Sequence, residues 1–103
     1  MTLDIILIED VHDVREGLAT LINGTPGFRC TQSFRTMEDA LAAYGIGLSD
    51  VILTDIGLPG MSGIEGIRML RRRYPHVPIV ALTVYDTDEK VFNALCAGAS
   101  GYL

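Results

Sequence analysis

The hydrophobic positions fall into short blocks whose spacing switches between two periods. Residues 3–8 (LDIILI) form a nearly continuous apolar run closed by Glu9-Asp10, the pattern of a strand buried on both faces. From Asp13 the spacing changes: Val14, Leu18, Leu21 and Ile22 recur at helical intervals until Asn23-Gly24, and Pro26-Gly27 turns the chain. In residues 28–34 (FRCTQSF) Phe28, Cys30 and Gln32 alternate with Arg29 and Thr31, which predicts a more polar strand near a sheet edge. Thr36, with Asp39 three residues on, caps a helix expected to carry Leu41 and Tyr44 and to end near Gly45-Ile46-Gly47. Residues 51–54 are the third strand. Ser62 and Glu65 have capping-box spacing ahead of Ile64, Ile67 and Leu70 on one helical face. Arg71-Arg72-Arg73 fall in that helix's last turn, where solvated arginines offset the macrodipole. A rigid loop, residues 74–78, leads to the strand 79–82, ended by Thr83. A fourth helix opens at residues 86–89, runs through Val91, Phe92 and Leu95, and stops at Gly98; Gly101-Tyr102-Leu103 begins a fifth strand. Strand and helix alternating four times predict a parallel sheet with helices on both faces.

Composition narrows the class. The chain has 103 residues, the size of one domain, and its 49% hydrophobic and 20% charged content is that of a globular protein. Eight basic against 13 acidic residues (net charge -5) argue against a nucleic-acid-binding surface. Cys30 and Cys96 fit no zinc or Cys-x-x-Cys spacing and read as two free, buried thiols of a reducing compartment. No apolar run reaches the roughly 18 residues of a membrane span, and no signal-peptide pattern is present, so a cytoplasmic location without membrane association is expected.

In a parallel sheet the carboxyl ends of the strands share one edge, and there the chemistry of this chain collects. Glu9 and Asp10 follow strand one, Asp55 ends strand three within VILTDIGLPGMSG (residues 51–63), and Thr83 ends strand four. Three converging carboxylates repel one another unless a cation joins them, and a small set of hard oxygens with room for water suits Mg²⁺. A carboxylate such as Asp55 is then a plausible phosphoryl acceptor, with Thr83 as a hydroxyl donor to a phosphoryl oxygen. His12 reads as a solvated loop histidine rather than a general base.

The segments ILIEDVHDVREGL, ILTDIGLPGMSG, IVALTVYD and AGASGYL together resemble the receiver domain of two-component response regulators, and the resemblance covers the whole chain, residues 1–103. It implies a flavodoxin-like, doubly wound parallel sheet of strand order 2-1-3-4-5. It implies Asp55 as phosphoacceptor and Glu9, Asp10, Asp55 and the Gly57 backbone carbonyl as Mg²⁺ ligands. Thr83 matches the switch hydroxyl, Tyr102 the aromatic switch, and Pro59 and Gly63 shape the loop. The implied activity is phosphoryl acceptance from a sensor histidine kinase by a switch that can promote its own phosphorylation and dephosphorylation, not a conventional enzyme. YDTDEKVFNALCAGASGYL further resembles receivers of the NarL/FixJ type, which implies transcriptional output through a DNA-binding domain absent from these residues. The family places a lysine just beyond the Gly-Tyr pair of strand five, and Lys90 does not match it; this and the missing last helix make residues 1–103 read as a receiver incomplete at its C-terminal end. A sheet face left bare beside the first helix predicts a homodimer or strand-exchanged oligomer. Gly57 and Tyr85, two residues after Asp55 and Thr83, suggest slow dephosphorylation. A phosphorylation-independent interaction or dimerisation module is the alternative reading. Aspartyl phosphatases and mutases carry Asp-x-Asp after the first strand, which Glu9-Asp10-Val11-His12 does not match, and no Ser/Thr/Gly-rich loop for FMN follows that strand.

Overall fold

Strand β1, Leu3–Ile8, sits inside the sheet, between β2 (Phe28–Phe34) and β3 (Val51–Asp55). β4 (Ile79–Leu82) follows, and the two-residue β5 (Gly101–Tyr102) completes a fully parallel sheet in the order β2-β1-β3-β4-β5. Helices α1 (His12–Asn23), α2 (Met37–Ala42) and α3 (Gly63–Arg73) make the crossovers, with a 3-10 turn at Ile46–Leu48. This computed structural model describes residues 1–82, 93 and 96–102. Thr83, Tyr85, Lys90 and most of the expected fourth helix lie outside the described residues; Asn93, Cys96 and Ala97 are helical.

The sheet's two faces are buried unequally. Ile6 and Ile8 of β1, with Ile52 and Ile79, join Met37 and Ala40 of α2 and Ile67 and Leu70 of α3 in one core, all at or near zero exposure. Gly66 lets α2 and α3 approach, because a Cβ there would collide with Met37. On the opposite face Ile5 and Leu7 are buried, but Val51, Leu53 and Val80 are only half-buried. Helix α1 has no fully buried residue; Val14 is 42% and Leu21 66% exposed. The helical pattern is present as predicted, yet its apolar stripe is only partly used.

Strand β2 takes the edge position, as its polarity predicts. Its register against β1 shifts between Ile5 and Ile6, which pair with Cys30 and Gln32. A one-residue bulge exchanges side-chain faces. Beyond it Phe34, opposite Ile8, packs on the α2/α3 core.

Three expectations are corrected. Tyr44 is not on α2: the helix ends at Ala42, Ala43 is extended, Gly45 adopts φ 84, and Tyr44 is 94% exposed. The thiols are free but not buried, Cys30 being half-buried and Cys96 exposed. Arg71 is not a solvated dipole partner. Its Nε donates to the Gly98 carbonyl (2.9 Å), Nη1 to the carbonyls of Pro75 (3.1 Å) and Val77 (3.0 Å), and Nη2 to Ser100 Oγ (2.9 Å). Ser100 Oγ also accepts from the Ile79 amide (3.3 Å), so one guanidinium ties the end of α3 to the chain entering β4 and β5. Gly98 is required by this clasp: it has φ +121, and a Cβ would lie 2.8 Å from Arg71 Cγ.

Candidate functional site

The parallel pairing of Ile8 with Thr54 aligns the ends of β1 and β3, so the residues just beyond them meet. Glu9, Asp10 and Asp55 each place a carboxylate oxygen within 4.8 Å of the others. Glu9 is 6% exposed, while Asp10 and Asp55 are half-buried. Burial pushes the Glu9 carboxyl up to about 7. The Val11 amide, donating to Glu9 Oε1 at 3.2 Å, opposes that shift, and the neighbouring Asp55 and Asp10 charges add to it. A carboxyl destabilised this way marks a site that favours positive charge.

Asp55 is held by its own loop. The Gly57 amide donates to Asp55 Oδ1 (3.0 Å), Oδ2 receives no backbone donor among the described residues, and Thr54 Oγ1 donates to the Asp55 carbonyl (3.0 Å). The first turn of α3 lies directly on this strand end: the Gly63 amide donates to the Ile56 carbonyl (3.2 Å), and a Cβ at Gly63 would overlap the Asp55 carbonyl oxygen and Ile56 Cα. The Ser62 half of the predicted capping box is in place, its Oγ accepting from the Glu65 amide at 3.2 Å. The intervening turn needs Gly60 at φ 71, where a Cβ would lie 2.6 Å from Glu38 Oε2.

The structure thus brings together Glu9, Asp10 and Asp55 and sets the Gly57 amide against Asp55. Leu82, the last residue of β4, pairs with Asp55; Thr83 follows it outside the described residues. Tyr102 pairs with Ala81 in the sheet, and its side chain lies outside the described residues. Two residues beside the site were not singled out from the sequence. Glu38 accepts from the Met61 amide (3.4 Å), and Arg15 donates to the Glu9 carbonyl (2.9 Å). Helical spacing relates Arg15 to His12, but neither reach across elements carries a sequence signal. The donors suit a small hard cation: three carboxylates, one of them raised toward neutrality chiefly by burial, with its acidic neighbours adding to the shift.

The chain is similar to known proteins over nearly its whole length. The chain is 35% identical over 101 residues to the transcriptional regulatory protein DegU of Brevibacillus brevis, covering 98% of this chain and 43% of that protein. It is 34% identical over 99 residues to the DNA-binding transcriptional activator DevR/DosR of Mycobacterium tuberculosis, covering 96% and 46%. It thus spans less than half the length of these curated relatives. Among solved structures, a two-component response regulator of the LuxR family from Aurantimonas sp. SI85-9A1 superposes with TM-score 0.91 at 32% identity, covering 99% of this chain and 73% of that one. The family model for the response regulator receiver domain matches residues 5–103, and the chain belongs to that family.

Proposed function

We propose that residues 1–103 act as a receiver that takes a phosphoryl group on Asp55 from a sensor histidine kinase and passes the change to a transcriptional output. The observation that carries this is the meeting of Glu9, Asp10 and Asp55 within 4.8 Å at the ends of β1 and β3. Glu9, Asp10, Asp55 and the Gly57 carbonyl would hold Mg²⁺, which supplies charge neutralisation for the transferred phosphoryl group. The chain's own part is to orient the acceptor. With Oδ1 held by the Gly57 amide, Oδ2 of Asp55 attacks phosphorus; the P–N bond to the donor imidazole breaks, and the imidazole nitrogen takes a proton from solvent. In this reading Thr83 donates its hydroxyl to a phosphoryl oxygen and Tyr102 reports the change. Output through DNA fits the name of the DevR/DosR relative and belongs to a part outside this acidic chain. The test is acetyl phosphate with Mg²⁺: one phosphoryl mass added to the wild type and none to Asp55→Asn is expected. No gain on the wild type overturns the proposal.

One observation favours a second reading, an interaction module that works without phosphorylation: the partly bare sheet face beside α1, with Leu21 66% exposed. A second copy covering that face would give a homodimer or a strand-exchanged oligomer. A stable monomer in sedimentation at micromolar concentration refutes that assembly, and metal binding with a mass gain at Asp55 refutes the module reading.

A further inference from the structure

Among the described residues, three hydrogen bonds to backbone groups and Arg15 fasten Glu9. Its amide donates to the Phe34 carbonyl (3.0 Å), its Oε1 accepts from the Val11 amide (3.2 Å), and its carbonyl accepts from Arg15 Nη1 (2.9 Å). The first two ties belong to the backbone of β2 and of the turn itself. The third is the single side chain among them. Arg15 is half-buried in the second turn of α1, and its Nη2 lies 3.2 Å from His12 Nδ1, so the guanidinium is oriented at two points. A guanidinium has donors only, so a hydrogen bond between the two runs from Arg15 Nη2 to His12 Nδ1. The Glu9 carbonyl is the group at which the chain leaves β1 and turns into Asp10.

We propose that Arg15 is a positioning residue for the acidic site, pinning the Glu9 carbonyl so that the turn presents both the Glu9 and the Asp10 carboxylates to Asp55. This rests on the reading of that cluster as a Mg²⁺ site. Arg15 touches no carboxylate of the cluster; it acts through the backbone of Glu9.

The two effects a guanidinium can have here oppose each other in sign. If Arg15 were only a nearby positive charge, removing it would make the pocket more negative and Mg²⁺ would bind the same or more tightly. If Arg15 fixes the turn, removing it misaligns two ligands and Mg²⁺ binds more weakly, by about tenfold for the loss of a group that orients metal ligands. Calorimetric titration of MgCl₂ into wild type, Arg15→Ala and Arg15→Lys separates them. Weaker binding in Arg15→Ala, partial recovery in Arg15→Lys and nearly unchanged thermal midpoints without metal support the proposal. Equal or tighter binding in Arg15→Ala overturns it. Amide exchange without Mg²⁺ gives a second readout: the Val11 amide should exchange faster in Arg15→Ala, with α3 unaffected, and unchanged Val11 protection overturns the proposal as well. If the wild type itself binds no Mg²⁺, the cation-site reading fails, and the Val11 exchange still decides whether Arg15 holds the turn.

Discussion

Replacing Arg71 by alanine should cost far more than a surface arginine normally does. Two of its hydrogen bonds are partly shielded, from Nε to Gly98 and from Nη1 to Val77; those to Pro75 and Ser100 are exposed. A shielded bond from a charged donor contributes roughly 1.5–3 kcal/mol, and the solvent-facing ones contribute little. Truncation leaves the Gly98 and Val77 carbonyls short of a partner, so a loss of about 3 kcal/mol is expected. Alanine's helix propensity is close to arginine's and does not change this. An arginine that merely offset the helix dipole would cost roughly 0.3–1 kcal/mol. At about 4–8 °C per kcal/mol for a domain of this size, the midpoint should fall by roughly 12–24 °C. Arg71→Lys should recover little, because one ammonium cannot reach acceptors before β4 and before β5 together. Circular dichroism melts and urea titration give the magnitude, and amide exchange locates it: the Ser100 amide, bonded to the Ile79 carbonyl, should lose protection before β1 does. A loss below about 1 kcal/mol with Ser100 protection unchanged would refute the clasp.

Glu9 predicts the pH dependence of the metal-free protein. Its carboxyl is raised from 4.5 to about 7, so the folded state keeps a proton that the unfolded chain releases. The contribution is complete below about pH 4.5 and is lost as pH rises through about 7. Urea midpoints without Mg²⁺ should therefore fall across that range, and Glu9→Gln should flatten the slope; an equal slope in the variant counts against the assignment. Gly63→Ala should destabilise by about 1–3 kcal/mol and weaken Mg²⁺ binding, since its Cβ would press on the Asp55 carbonyl; an unaltered melt shows that the loop yields freely. Thr36→Ala should cost about 1 kcal/mol by urea titration, because Thr36 Oγ1 accepts from the Asp39 amide at 3.1 Å; no change means that cap is idle.

Much of the fold was legible along the chain because its signals are local. The apolar runs of β1, β3 and β4, the caps at Thr36 and Ser62 and the edge polarity of β2 depend on residues within a few positions of one another. The acidic site was legible for a related reason: a parallel sheet carries the ends of its strands to one side, so Glu9, Asp10 and Asp55 could be grouped by topology alone.

What only the tertiary structure decided depends on distances between segments far apart in sequence. The bulge that turns Phe34 toward the α2/α3 core is a matter of register between β1 and β2. Glu9 rises toward neutrality because burial, not its spacing from Asp10, removes its water. Arg71 looked like any arginine at a helix end, and its use emerged only when Gly98 and Ser100 folded back onto it. Arg15 likewise shows its reach to the Glu9 carbonyl only in three dimensions. The chain therefore determined by itself which chemical groups gather at the site. The packing determined how tightly each is held, because a long side chain's partners are set by which backbone groups are left unpaired within its reach.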